Sequence, residues 1–387
     1  MTEETFLYWN NLLEQVRDCY NYCSKAVKQL NLPLSLKVVH SELYHELRNQ
    51  FPLIPSQAVI KVQQDVIAAY RSIKKNKHKA ADTPQKKYLS MRLDKRTSSY
   101  FDITGISIVG PKSGKRDRVT FNLYPKVEEM FRKYTTTDPL LFIRDGVPYL
   151  SVSFNVPQKP IQETKCVGVD LGERFLFVTS EGKAFRDKTY LRERRKAVYL
   201  KRCLQSKGTK SAKRKLRKLS KKVRNLSNDM CHMACNELLR STDASIIVLE
   251  DLKKLKQNTS SKKKNGRKNT GHNRRLGQVP FYKFKEMLTY KAPLCGKRVE
   301  TVSAYNTSQT DCRTGKTDGI RIKRRYVGAD CIVLDADYNA AVNIAKKGKH
   351  PFSMNVPLDG TLTILKGRPS SIGQSSHVRC VGTSPLL

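Results

Sequence analysis

Residues 165–186 read KCVGVDLGERFLFVTSEGKAFR, and this stretch carries most of the information about the fold. An apolar run ends at Asp170, and Gly172 lets the chain turn. The segments FLFVTS and KAFR, on either side of Glu181 and Gly182, predict a β-hairpin. Further along, ASIIVLEDL at 244–252 predicts a second buried strand that ends in an acid pair. The pattern indicates a sheet with acidic side chains at the ends of its strands.

Basic, helix-forming sequence fills the interval between these two strands, from 189 to 240. Its second half predicts a long helix, because one set of apolar residues recurs at alternating steps of three and four. The members of this seam are Leu216, Leu219, Val223, Leu226, Met230 and Met233. Glu237 falls on the next seam position, and we expect Leu238 to take its place. FYKFKEMLTYKA and DADYNAAVNIAKKG predict two more helices, with the strand KRVETVSAY between them.

The sequence before residue 160 predicts helices first and strands afterwards. Apolar residues recur at helical spacing over 4–30 and again in SQAVIKVQQDVIAAYRSIKK at 56–75. From 88 to 157 the period changes to two, in short segments such as YFDITGISIV and PYLSVSFNV. We therefore expect a helical lobe followed by a small barrel or curled sheet.

The charge of the chain indicates its partner. Lys and Arg total 74 against 34 Asp and Glu, which gives a formal net charge of +40. A large polyanion is the natural partner, because each neutralised phosphate releases counterions. Charge alone leaves a ribosomal-type or histone-like coating protein as an equal alternative. The 39% of hydrophobic residues nevertheless predicts real cores, in two or three domains.

The ten cysteines predict buried thiols rather than metal ligands. No two stand in a C-x-x-C pair, and the pairs Cys19/Cys23 and Cys231/Cys235 are one helical turn apart in apolar segments. No secretory signal is recognisable, so a reducing compartment is expected. No apolar run approaches the roughly 20 residues needed to cross a bilayer. These features predict a soluble, cytoplasmic protein without a membrane partner.

Asp170, Glu250 and Asp337 stand where a predicted strand or helix start meets its loop. The order strand, hairpin, long helix, strand is that of a ribonuclease H type sheet, in which these acids meet at the carboxyl edge. Crowded carboxylates repel each other, so a bound divalent cation is the physical reason to gather them. Mg²⁺ prefers oxygen ligands, and two such ions serve phosphodiester hydrolysis. Singly, each acid is a weak signal, since D-x-G after a strand also opens the phosphate loop of actin-like ATPases.

Several motifs resemble the TnpB nucleases, the transposon-encoded relatives of compact type V CRISPR effectors. GVDLG at 168–172, IIVLEDL at 246–252 and DADYNAAVNIA at 335–345 look like the three split RuvC motifs of that family. RNLSNDMCHMACNELL, LTYKAPLCGKRVETVSAYNTSQT and IPSQAVIKVQQDVIAAYRSI resemble its connecting pieces. The resemblance thus spans most of the chain, and the third motif is its most specific part.

The resemblance implies a chain built of α/β, all-β and helical parts. Along the chain we expect a helical recognition lobe at 1–87, a wedge-like β-barrel at 88–160 and a RuvC/ribonuclease H-like nuclease domain with long basic helices at 161–305. A degenerate zinc-ribbon-like insert that binds target nucleic acid follows at 306–334. The last RuvC motif helix is expected at 335–350 and a mobile tail at 351–387.

The resemblance also implies an activity. Asp170, Glu250 and Asp337 become the Mg²⁺-binding catalytic triad of an RNA-guided DNA endonuclease, with two ions expected. Its partners would be a structured guide RNA and double-stranded target DNA, of which the protein reads only a short flanking motif. A bacterial or archaeal, nucleoid-associated protein is expected, and the oligomeric state is left open, a monomer included. The cations expected to contact nucleic acid are Arg192, Arg194, Arg195, Lys201, Arg202, Lys213, Arg214, Lys215, Arg217, Lys218, Lys221, Lys222 and Arg224.

The insert departs from the family pattern. Members usually carry two C-x-x-C pairs that bind structural zinc. Here TSQTDCRTGK and YVGADCIVLDAD keep only Cys312 and Cys331 as remnants. Two cysteines without histidine make a poor zinc site, so no zinc is expected, and the insert should fold without metal or be heavily remodelled.

Three alternatives stay open. A nuclease-silent RNA-guided repressor is disfavoured because all three acids are present. An actin-like ATPase lacks a second glycine-rich phosphate loop after Glu250 and does not need this charge. A transposase that joins DNA ends would have to show strand transfer as well as cutting.

Overall fold

The computed structural model describes residues 3–76, 83–110, 115–162, 165–252, 277–352 and 362–366, and the backbone of 263–264 and 267–268. These residues form two compact units. The first ends at Val156 and the second begins at Pro157.

Three helices open the first unit: α1 (Glu3–Gln29), α2 (Leu36–Gln50) and α3 (Ser56–Lys75). The predictions of α1 and α3 are confirmed. Both bury one apolar stripe, which includes Trp9 and Leu13 on α1 and Val59 and Val66 on α3. Helix α2 was not predicted, although its buried residues Val39, Leu43 and Leu47 recur every four positions.

Eight short strands follow in the first unit: β1 (Ser90–Arg92), β2 (Ser98–Asp102), β3 (Gly105–Val109), β4 (Arg116–Thr120), β5 (Thr135–Thr136), β6 (Leu140–Arg144), β7 (Val147–Ser151) and β8 (Phe154–Asn155). Hydrogen bonds join them into three small sheets, ordered β1-β6-β7, β2-β3-β4 and β5-β8, rather than one continuous sheet. A helix, α4 (Pro125–Lys133), interrupts the strands. It was not predicted because it is short, its apolar residues Val127, Met130 and Phe131 are only half-buried, and it interrupts a region whose period of two predicts strands.

A six-stranded sheet forms the centre of the second unit. Its strands are β9 (Cys166–Asp170), β10 (Phe177–Thr179), β11 (Lys183–Arg186), β12 (Ile246–Glu250), β15 (Arg298–Val302) and β19 (Thr363–Lys366). The order is β15-β12-β9-β10-β11-β19, in which β10 runs opposite to the other five. The predicted first strand, hairpin and second strand are thus confirmed, and the carboxyl ends of β9, β11 and β12 share one edge.

Two helices occupy the basic interval: α5 (Lys188–Lys207) and α6 (Lys210–Ser241). Asp187 and Thr209 cap their first turns, and Gly208, at φ +64, ends α5. The predicted long helix corresponds to α6, and Leu238 is fully buried as expected. Its buried face and α7 (Phe281–Lys291) pack on one side of the sheet, against side chains such as Val167 and Val169.

The other side of the sheet is covered by α8 (Ala336–Lys347), the helix predicted from DADYNAAVNIAKKG. This helix lies directly on β9 at Gly168, because a Cβ built there would stand 2.0 Å from the main-chain oxygen of Ala341. Glycine at 168 therefore lets the two elements meet. The close contact fixes the first turn of α8 relative to the end of β9.

A three-stranded antiparallel sheet precedes α8. It consists of β16 (Ile320–Ile322), β17 (Arg325–Val327) and β18 (Val333–Asp335), in that order. A further strand pair, β13 (Lys263–Lys264) and β14 (Arg267–Lys268), lies between β12 and α7 in the chain. No helix among the described residues is long and apolar enough to span a membrane.

Most described cysteines are buried, as predicted: Cys19, Cys23, Cys166, Cys231, Cys235 and Cys312. Cys203 is half-buried, and Cys295 and Cys331 are exposed, so the prediction fails for the last two. Cys380 and the expected mobile tail, apart from 351–352 and 362–366, lie outside the described residues.

Candidate active site

The three acids singled out from the sequence come from three different elements of the second unit. Asp170 is the last residue of β9, and Glu250 is the last residue of the neighbouring parallel strand β12. Leu249 pairs with Val169, so the two carboxylates leave adjacent strands at nearly the same level. Asp337 lies in the first turn of α8, which packs on β9. All three acids therefore lie at the carboxyl edge of the sheet.

The surroundings of the three acids shift the pKa of each carboxyl group. Burial, followed by the negative charges of Glu250 and Asp337, raises the pKa of Asp170 well above its ordinary value. Burial also raises the pKa of Glu250 and that of Asp337. Holding these three carboxyl groups together lowers the stability of the folded state. Such crowding is typical of a functional site.

Each flanking acid has a polar partner. The Thr307 hydroxyl donates a hydrogen bond to Oε1 of Glu250. Arg321 Nη2 donates to Oδ1 of Asp337 over 3.1 Å. Asp335 caps α8 by accepting hydrogen bonds from the main-chain N–H groups of Asp337 and Tyr338. Arg321 and Thr307 thus belong to the site, and no sequence signal marked either of them.

Two buried asparagines hold the chain around Thr307. On α8, the Asn343 side-chain amide donates to the carbonyls of Thr307 and Thr310. One turn earlier, Asn339 donates to the Thr310 carbonyl and accepts from the main-chain N–H of Cys312. Neither asparagine was predicted from the sequence. Two polar residues four positions apart on a buried helix nevertheless predict side chains that hydrogen-bond to neighbouring backbone.

The carboxylate set suits a hard divalent cation. Its donors are oxygens, and the repulsion that raises the pKa of Asp170 would be relieved by a positive ion. Among the residues that the structure describes, no group of three or more His, Cys, Asp or Glu side chains is arranged to hold a metal ion. Asp337 instead faces the guanidinium of Arg321. The donor chemistry fits a divalent cation such as Mg²⁺, and an ion there would compete with Arg321 for Asp337.

The region of the expected zinc remnants is held by an ion network. Arg313 contacts Asp311 at 2.7 Å and Asp330 at 2.6 Å, and Asp311 is only 1% exposed. Cys312 is buried in a cluster with Tyr338 and Val342. Cys331 is exposed. Ion pairs thus stabilise the segment in which the family pattern has its zinc-binding C-x-x-C pairs.

The thirteen cations predicted to contact nucleic acid lie on α5 and α6. Eleven of them are exposed, Lys201 is half-buried and Arg194 is buried. The Arg194 guanidinium lies 5.8 Å from the centre of the Tyr190 ring, on the packed face of α5. Arg194 is therefore removed from the predicted contact surface, because helical rotation turns it inward.

Two family models match the chain. The one described as "Probable transposase", OrfB_IS605, matches residues 149–259, which include Asp170 and Glu250. The one described as "Cas12f1-like, TNB domain" matches residues 281–344, which include Asp337.

Curated relatives and a solved structure point the same way. "TnpB-like protein L79" and "TnpB-like protein L770" of Acanthamoeba polyphaga mimivirus are each 31% identical over 150 residues. The match covers 38% of this chain and 28% of each relative, so the chain spans well under half of their length. The cryo-EM structure of a Cas12f1–sgRNA–target DNA complex matches 89% of this chain and 83% of its own, with a TM-score of 0.64 and 14% identity. That likeness shows a Cas12-like fold with mixed α/β content. Together, these matches show that the chain resembles TnpB-family and Cas12-like proteins.

Proposed function

We propose that the chain is an RNA-guided DNA endonuclease whose catalytic carboxylates are Asp170, Glu250 and Asp337. One observation carries this proposal: the three acids, from three separate elements, lie at one edge of the sheet, where β9 and β12 end side by side and α8 begins against β9. A chain of net charge +40 provides the electrostatic attraction for RNA and DNA backbones.

Asp170, Glu250 and Asp337 would hold two Mg²⁺ ions in a RuvC-like site, with water and phosphate oxygens as the remaining ligands. When bound, the ions would activate the attacking water and stabilise the leaving oxygen. The remaining residues position the acids. Thr307 orients the Glu250 carboxylate, and the Asp335 cap fixes the first turn that carries Asp337.

The rest of the chain would hold the nucleic acids. The exposed cations of α5 and α6 are suited to phosphate backbones, because a guided enzyme leaves sequence reading to base pairing. We retain the domain order as part of the proposal: a recognition lobe at 1–87, a wedge-like part at 88–160, a RuvC/ribonuclease H-like part at 161–305 with its last helix at 335–350, and the insert at 306–334.

The test is to purify the protein with the RNA that it retains, sequence that RNA, and challenge the complex with plasmid DNA in Mg²⁺. We expect one abundant RNA with a variable segment, and cleavage of a plasmid that matches this segment but not of a scrambled one. The Asp170→Ala variant should retain the RNA and lose cleavage. A random RNA mixture with no guided cutting would overturn the proposal. Guided binding without cutting by the wild type would indicate a repressor.

A further inference from the structure

A cationic cavity lies where β11 ends and α5 begins. Its volume is about 310 Å³. It is lined by Arg186, Lys188, Leu191, Arg192, Arg195 and Lys196. Five of these six side chains carry a positive charge and none carries a negative charge. We call this feature the junction cavity.

The charges of the junction cavity are poorly compensated. Glu193 contacts Arg192 at 3.8 Å and Lys196 at 3.5 Å, and both contacts are partly exposed and therefore weak. The Asp187 carboxylate caps the first turn of α5 and is the acid at this helix end, but it does not line the cavity. The five cations of the lining thus stand together with only weak ion pairs to Glu193, an arrangement suited to an anion.

Arg186 supplies an independent indication. Its Nε atom is buried and has no hydrogen-bond partner among the residues that the structure describes. A buried donor without a partner costs free energy. Arginine is also the side chain whose planar, forked donors match the oxygens of a phosphate.

The topology places the junction cavity at the edge that carries the acids. Asp170 pairs with Val178 of β10, and Val178 pairs with Ala184 of β11. Arg186 is two residues beyond Ala184, in the direction in which β9 ends. With neighbouring strands about 4.8 Å apart and a rise of about 3.3 Å per residue, the Cα atoms of Asp170 and Arg186 are roughly 12 Å apart.

The two side chains also leave the same face of the sheet. Ala184 packs with Tyr338 and Val342 of α8, whereas Phe185 packs on the opposite side. Because strand side chains alternate, Arg186 starts on the α8 side, which is also the side of Asp170. A nucleic-acid strand that reaches the acids along this edge would pass the junction cavity.

We infer that the junction cavity binds a backbone phosphate of the strand being cut, about two to four nucleotides from the scissile bond. Arg186 would be the central ligand, Arg195 and Lys196 would contribute charge, and Leu191 would offer an apolar wall to the sugar. This inference rests on the proposed nuclease function for the identity of the strand. The binding of a phosphodiester in the cavity does not depend on it.

Binding is tested first, without any cleavage. The affinities of a short single-stranded DNA and of an RNA of the same sequence are measured as a function of salt. Arg186→Gln and Arg195→Gln are compared with Arg240→Gln, which removes the same charge from the exposed last turn of α6, outside the cations expected to contact nucleic acid. We expect Arg186→Gln to weaken DNA binding at least about fivefold and to lower the salt slope by about 0.7, the value for one single-strand phosphate. Arg195→Gln should also weaken DNA binding. Because Arg195 is on the exposed face of α5, this substitution should leave the packing of the sheet intact.

The position of the phosphate is tested with single neutral methylphosphonate substitutions walked along the DNA. In wild-type protein, one position should weaken binding, and in Arg186→Gln that position should become neutral. Stronger effects on RNA than on DNA would place a guide strand in the cavity and overturn the assignment to the cut strand. Equal effects of Arg186→Gln, Arg195→Gln and Arg240→Gln would overturn the cavity as a phosphate site. Failure of the nuclease proposal would appear separately, as the loss of guided cleavage with these binding results intact.

Discussion

Arg321 Nη2 lies 3.1 Å from Oδ1 of Asp337, so a guanidinium faces one of the three proposed metal-binding carboxylates. The positive charge of Arg321 also acts to lower the pKa of Asp170. Burial and the two neighbouring acids raise that pKa by more, so it stays above its ordinary value. Arg321 thus supplies part of the positive charge that a divalent ion would supply. The ion and the guanidinium should therefore compete for Asp337.

We predict that Arg321→Gln lets divalent ions bind more tightly. Removing the competing charge should lower the Mg²⁺ concentration at half-maximal thermal stabilisation by several-fold, because even partly screened charges interact by about 1 kcal/mol. Thermal unfolding across a Mg²⁺ series measures this. Arg325→Gln, on the neighbouring strand β17, is the matched control. Identical Mg²⁺ dependence in the two variants would show that Arg321 does not compete.

Asp170→Asn should stabilise the metal-free protein at neutral pH. Because the pKa of Asp170 is raised in the folded state, the folded protein binds a proton that the unfolded chain releases above its ordinary pKa of 3.8. Wild-type stability therefore falls as pH rises from that value to the raised one, and asparagine removes this part of the slope. In chelator at about pH 7.5, the variant should unfold at least about 2 °C higher. The difference should shrink towards acid pH, and a difference that grows there would contradict this account.

Gly168→Ala should disrupt the packing of α8 on the sheet. The new Cβ would stand 2.0 Å from the Ala341 carbonyl oxygen and 2.4 Å from the Ala345 nitrogen, both of them backbone atoms. Overpacking against backbone should cost more than about 3 kcal/mol. Urea unfolding measures the loss. Gly172→Ala, whose Cβ would meet only the Phe175 oxygen at 3.2 Å, is the milder control.

Arg313→Gln should destabilise the insert. The substitution leaves Asp311 buried without its counter-charge, which should cost about 3 kcal/mol. Burial acts to raise the pKa of Asp311, but the hydrogen bonds from Arg313 outweigh it and the pKa is lowered. The Arg313 contribution is therefore present above the ordinary pKa of Asp311 and is lost as pH falls through the lowered value. Chemical unfolding against Lys316→Gln at neutral and acid pH checks this, and a deficit that persists unchanged in acid would argue against the ion pair.

The sequence predicted those parts of the fold that have a local pattern. The helices α1, α3, α6 and α8 were predicted from helical patterns of apolar residues, and the strands β9 and β12 from short, near-continuous apolar runs. Helix α4 was not predicted because its few apolar residues are only half-buried and it interrupts a region of strand-like period. The pairing of β1 with β6 was not predicted because strand partners are chosen by tertiary packing.

The candidate site was predictable in its acids but not in its surroundings. Asp170, Glu250 and Asp337 follow from strand and helix ends, whereas Arg321 and Thr307 reach the site from segments whose position depends on the folded insert. Arg194 was grouped with the exposed cations because a charge run does not show which face of the helix is buried. The ion pairs of Arg313 with Asp311 and Asp330 were likewise not predicted, because no local sequence pattern shows which charged residues pair in the folded insert.

The most direct test of the shared-ion site is a crystal structure of the protein soaked with Mn²⁺, read from the anomalous signal. We predict one or two peaks about 2 Å from carboxylate oxygens of Asp170, Glu250 and Asp337, with the Arg321 guanidinium displaced from Asp337. Asp170→Asn should lose the peaks. A map with no Mn²⁺ at this edge and Arg321 still paired with Asp337, at an ion concentration that supports cleavage, would contradict the account.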